Sequence, residues 1–91
     1  MHDLTIRNAS IIDGSGKAGF QGDVAVDGDR ITAVEPAGSL TPGKEDIDAS
    51  GLVVTPGFVD IHTHYDGQVC WDKEVTPSSW HGVTTVIMGN C

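Results

Sequence analysis

Ninety-one residues carrying thirteen acids against five bases, for a net charge of −8, exclude nucleic acid and anionic lipid as partners, because both need clustered Lys and Arg. A 38% hydrophobic content with twelve glycines describes a turn-rich globular chain of one small domain, which buries only about 60–65% of its unfolded surface. Two cysteines without CxxC spacing exclude a disulfide scaffold; with no basic-then-apolar leader and no membrane-length apolar run, a reduced cytoplasmic setting and no membrane contact are expected.

The first half reads as short strands. Leu4 and Ile6 alternate with polar residues, and Ile11-Ile12 runs into the turn Asp13-Gly14-Ser15-Gly16. Val24 and Val26 lead into Asp27-Gly28-Asp29 and then Arg30 to Val34. Asp-Gly between alternating apolar runs predicts a hairpin, since Gly takes positive φ without steric cost. Residues 36–44 read as a loop. Ile47 and Leu52-Val53-Val54 flank a further turn at Ala49-Ser50-Gly51. An antiparallel β core over residues 3–54 is the expectation.

The pattern changes at Thr55-Pro56-Gly57. Phe58 to His62 is mostly apolar, as for a strand covered on both faces. Thr76 to Gly82 carries helix punctuation, with Thr76 as N-cap, Pro77 at N1 and Gly82 as the left-handed residue past the end. Val83 to Met88 is β-branched and predicts a strand. Residues 58–88 thus read strand–helix–strand, about the length of one βαβ unit. A complete (β/α)8 barrel needs about 250 residues, so the chain is expected to be a fragment cut just after a second barrel strand.

The chemistry concentrates in Asp60-Ile61-His62-Thr63-His64. Alternation along a strand projects Asp60, His62 and His64 to one side, near the C-terminal end where α/β folds collect ligands. Two imidazoles so placed can converge on one zinc, and Asp60 can accept an N–H from a ligand His and fix its tautomer. Cys91, after Gly89-Asn90 at the end of the next strand, falls on the same rim, either as a thiolate ligand or as a small buried apolar residue. Cys70, His81 and His2 read as structural or surface residues, Asp66 as exposed loop, and Trp71 and Trp80 as packing residues.

Gly57-Phe58-Val59-Asp60-Ile61-His62-Thr63-His64 resembles the signature that opens the barrel in the amidohydrolase superfamily. His64-Tyr65-Asp66-Gly67-Gln68, Trp71-Asp72, Pro77 to Val86 and Gly89-Asn90-Cys91 resemble its N-acyl-D-amino-acid deacylase (D-aminoacylase) branch. The resemblance covers essentially the whole chain, weakly over residues 1–54 and strongly over 55–91. It implies a mainly β chain: an N-terminal β-sandwich part over residues 1–55, then the start of a metal-dependent (β/α)8 barrel over 56–91. It also implies a zinc hydrolase, holding one or two ions, that removes the acyl group of an N-acyl-D-amino acid. His62 and His64 would serve one metal position, and Cys91 would be a ligand shared with, or belonging to, the other, more tightly held zinc. The general-base Asp and two more His are expected downstream, so the fragment is expected to be inactive and to bind metal weakly. Self-association of the fragment is expected where its strands lack partners.

Two other readings compete. A cyclic-amide hydrolase of the dihydropyrimidinase or hydantoinase kind shares the His pair but lacks the Gly-Asn-Cys ending. A non-catalytic, β-rich binding module fits the chain length but has no use for Asp-x-His-x-His on a covered strand.

Overall fold

The computed structural model describes residues 1–89, so Asn90 and Cys91 lie outside the described residues. The chain divides into two compact units, Met1–Pro56 and Gly57–Cys91. Strands dominate the first unit, and the chain is mainly β as the sequence suggests.

The first unit is a five-stranded sheet of β1 (Leu4–Ile11), β2 (Phe20–Asp27), β3 (Arg30–Pro36), β4 (Glu45–Asp48) and β5 (Val53–Val54), in the order β3-β2-β1-β4 with β5 also on β1. The hairpin expected at Asp27-Gly28-Asp29 is present. Asp27 pairs with Arg30 across it, and Gly28 takes φ +59°.

The core is not purely antiparallel. β4 and β5 both run parallel to β1, Leu4 facing Glu45 and Ser10 facing Val53. The reason is the loop after β3, which carries the chain across β2 and β1 to the far edge of β1. Asp23, with no solvent exposure, holds that loop. Its carboxylate accepts N–H from Gly38 at 3.0 Å and Leu40 at 3.2 Å, and from Asn8 at 2.9 Å. Burial alone would raise the Asp23 pKa, but the N–H groups of Asn8, Leu40 and Gly38, with Arg7 nearby, bring it below the ordinary value. Asn8 sits at φ +63° in an irregularity between Ile6 and Ala9 of β1. Next to it, the Ala49 N–H donates to Arg7 O where the chain passes from β4 to β5. The core itself is small: Ala9, Ile11, Val24 and Ala49, with Ile6, Val26 and Val54 against them.

Two acids outside that core predict the sheet's response to acid. Arg7 grips Asp46 through Nε at 2.7 Å and Nη2 at 2.9 Å, and Thr5 Oγ1 donates to the same carboxylate. Together they hold Asp46 at about 2 instead of 3.8. Thr32 and then His2 hold Asp27 at about 2 likewise. A depressed folded-state pKa stabilises above the unfolded value and stops doing so as pH falls through the folded one. Denaturant midpoints are therefore expected to be flat above about pH 4 and to fall between about 4 and 2. Asp46→Asn should flatten that fall, and an unchanged slope would contradict the assignment.

In the second unit β6 (Phe58–Asp60) pairs in parallel with β7 (Val83–Val86), Asp60 facing Val86. Between them stand two 3-10 turns, Gln68–Cys70 and Ser78–His81, and no α-helix. Gly82 closes the second turn at φ +84°, as expected. Thr76, however, is not an N-cap. Its N–H and hydroxyl both donate to Asp72 Oδ2 at 2.8 Å, so it is spent on the preceding loop. The strand expected through His62 stops at Asp60. Phe58, Val59 and Ile61, expected to be covered, are 58%, 57% and 76% exposed, and Trp71 and Trp80, expected to pack, are 75% and 71% exposed.

Candidate metal centre

The His pair lies just beyond β6. Asp60 ends the strand because its Oδ1 accepts the backbone N–H of His62 at 3.2 Å, a local side-chain bond that replaces the next ladder position. Past that point the chain still alternates, for a different reason than strand geometry. Thr63 is 5% and Tyr65 8% exposed, while His62 and His64 face outward. Thr63 is held inward by its N–H and its hydroxyl, which donate to Ile87 O at 3.1 and 2.8 Å. Tyr65 is held by Ser78, whose N–H donates to the phenol oxygen at 3.2 Å and whose Oγ lies 2.7 Å from it.

With Thr63 and Tyr65 turned in, the imidazoles of His62 and His64 come together, ring centroids 5.2 Å apart and planes tilted by 54°. Two imidazoles on one tetrahedral zinc, each bound at about 2.0–2.1 Å, place their centroids roughly 5 Å apart. The ring separation is therefore the one that two ligands of a single ion would show. Asp60, His62, Thr63, His64, Tyr65 and Ser78 line one open recess. Asp60 meets the backbone of His62 rather than a ring nitrogen.

Two donors do not complete a site. Among the described residues no group of three or more His, Cys, Asp or Glu is arranged to hold a metal. Cys91, the third expected donor, lies outside the described residues. Cys70 is exposed and free. His81 belongs to the second 3-10 turn, and His2 pairs through Nδ1 with Asp27 at 2.7 Å in the first unit.

Sequence reasoning passed over the residues that shape this region. From sequence, Thr63, Tyr65 and Ser78 have no role of their own. Asp72, named only within the family resemblance, accepts from Gln68 Nε2 at 2.9 Å, from Thr76 twice and from the Glu74 N–H at 3.1 Å. Gln68 first and Thr76 next push its pKa well below the carboxylate range. The spacing Gln68-x3-Asp72-x3-Thr76 was the available signal.

The chain as a whole is similar to known proteins. Residues 45–91 match the Amidohydrolase family. N-acyl-D-aspartate deacylase of Alcaligenes xylosoxydans xylosoxydans is 46% identical over 98% of this chain. A crystal structure of D-aminoacylase superposes on all of it with a TM-score of 0.87 at 41% identity. N-acyl-D-glutamate deacylase from Bordetella bronchiseptica, solved with zinc and a phosphonate mimic of the tetrahedral intermediate, covers 99% at 37% identity and a TM-score of 0.84. L-hydantoinase from Arthrobacter aurescens matches less well, over 70% of the chain at 28% identity and 0.60. The chain spans 18% of the length of the aspartate deacylase and 19% of the D-aminoacylase chain.

Proposed function

The chain belongs to the amidohydrolase family, and from that premise we propose that it is the N-terminal part of a zinc-dependent deacylase that hydrolyses the amide bond of N-acyl-D-amino acids. The supporting observation is the superposition on D-aminoacylase along the whole chain, beside which stands the pairing of the His62 and His64 rings within this chain. On this reading residues 56–91 begin a (β/α)8 barrel and residues 1–55 form part of a β-sandwich. His62 and His64 hold one metal position, Cys91 supplies a thiolate to it or to a second ion, and Asp60 fixes the chain entering the pair. Bound zinc would supply Lewis acidity and a water whose pKa is lowered towards 7.

The chain's own residues do the rest by placement. Asp60 turns the backbone out of β6, Thr63 and Tyr65 face inward, and the two imidazoles are left side by side in an open recess. A general-base Asp, two further His and the groups that grip the substrate carboxylate and D-side chain belong to the rest of the protein. A cyclic-amide hydrolase is the weaker reading, given the shorter and poorer match to L-hydantoinase. Among the described residues no helix is long and apolar enough to cross a membrane, and a cytoplasmic enzyme acting on a small molecule is the proposed setting.

Assay of the intact protein on N-acetyl-D- and N-acetyl-L-amino acids tests the assignment. Release of the D-amino acid is expected. Cleavage of hydantoin-type rings alone, or of neither class, would sink it. The 91-residue chain by itself is expected to show no turnover, bind zinc weakly and self-associate through its exposed apolar residues. Tight stoichiometric zinc, or a compact monomer on size exclusion, would contradict this.

A further inference from the structure

Beyond the end of β6 the His-bearing loop is no longer in a sheet, yet it is stitched to the segment that follows β7 at three residues spaced three apart. Asp60 O accepts the Ile87 N–H at 2.8 Å. Thr63 returns two donors to Ile87 O, its N–H at 3.1 Å and its hydroxyl at 2.8 Å. Asp66 Oδ1 accepts the Gly89 N–H at 3.2 Å, where Gly89 turns at φ +105°. We propose that Thr63 and Asp66 are positioning residues that clasp the His62–His64 loop to the exit of β7, setting the two imidazoles for a shared metal ion. This deepens the metal-centre reading above and rests on it.

The geometry separates this role from general packing. Thr63 stands between the two His, so the backbone torsions that aim both rings are those its two bonds restrain. A carbonyl has two lone pairs, and both on Ile87 O are taken by one residue. Thr63 is 5% exposed, so water cannot readily take the place of its hydroxyl. Asp66 closes the loop two residues after His64. The Gly89 it anchors precedes Cys91 by two residues in the sequence, so the segment leading to the third proposed donor starts from a tied backbone. Residues that orient ligands without touching the metal change its affinity by about 10–100-fold when lost.

The test is zinc affinity of the full-length protein, measured by competition with a chromophoric chelator, beside thermal melting. Thr63→Val keeps the shape and the N–H bond but removes the hydroxyl donor, and Thr63→Ser restores that donor. Asp66→Ala removes the acceptor, and Asp66→Asn keeps one. T63V and D66A are each expected to bind zinc about tenfold more weakly, with T63S and D66N within about twofold of the parent. Should T63V fail to fold, the Asp66 pair decides. T63V and D66A both within about twofold of the parent would overturn the clasp, as would equal weakening by the conservative and disruptive members of each pair. His62→Ala is the control for the underlying reading. If H62A binds as many zinc ions as tightly as the parent does, the His-pair centre fails and the clasp with it. If H62A loses zinc while T63V and D66A keep it, the clasp alone fails.

Discussion

Replacing either His62 or His64 by Ala in the intact protein is expected to lower kcat/KM by roughly a thousandfold or more, with loss of bound zinc. The two rings stand 5.2 Å apart in one recess, so each variant leaves a single imidazole where the proposed centre has two. The losses should not add. A double variant is expected to be about as inactive as either single one, because ligands of one ion act as a unit. Metal analysis and steady-state kinetics on the same preparations check this. An H64A protein that keeps more than about a tenth of the activity with its zinc in place would remove His64 from the centre.

Asp23→Ala is expected to be the most damaging change in the first unit. It strands the N–H groups of Asn8, Gly38 and Leu40, all of which now donate to a carboxylate with no solvent exposure. An unsatisfied buried donor costs about 1–3 kcal/mol, and partial entry of water lowers the sum, so about 3–4 kcal/mol is expected. Asp23→Asn keeps one acceptor oxygen and should lose about half as much. Urea unfolding of the two variants beside the parent measures both. A loss below about 1 kcal/mol for D23A would mean the loop after β3 is held by something else.

The sequence made the site easier to find than its supports. Asp27-Gly28-Asp29 between apolar alternations is a local signal, and the hairpin follows from it. Val83 to Val86 is β-branched and forms a strand. The Asp-x-His-x-His run is conspicuous because two imidazoles so close need a reason. What escaped depends on side-chain hydrogen bonds, some of them to residues far away in the chain. That β4 and β5 lie parallel to β1 is decided by a loop whose grip is Asp23, and Asp23 in an alternating strand looks like a solvent-facing acid. β6 was expected to run to His62, but one carboxylate–amide bond at Asp60 ended it. The helix expected at 76–82 lost its cap to Asp72, whose partners Gln68 and Thr76 are each four residues away. Thr63 and Tyr65 show their inward role only once Ile87 and Ser78 are placed beside them.

The order of synthesis gives β1 an awkward position. It leaves the ribosome before its partner strands and meets β2 early, but its other edge waits for Glu45–Asp48 and then Val53–Val54. Until then Leu4–Ile11 offers an open row of amides and carbonyls to any extended chain that passes. Expression conditions that slow elongation over residues 28–54 should therefore raise the insoluble fraction, and a binder that masks this edge on the nascent chain should recover it.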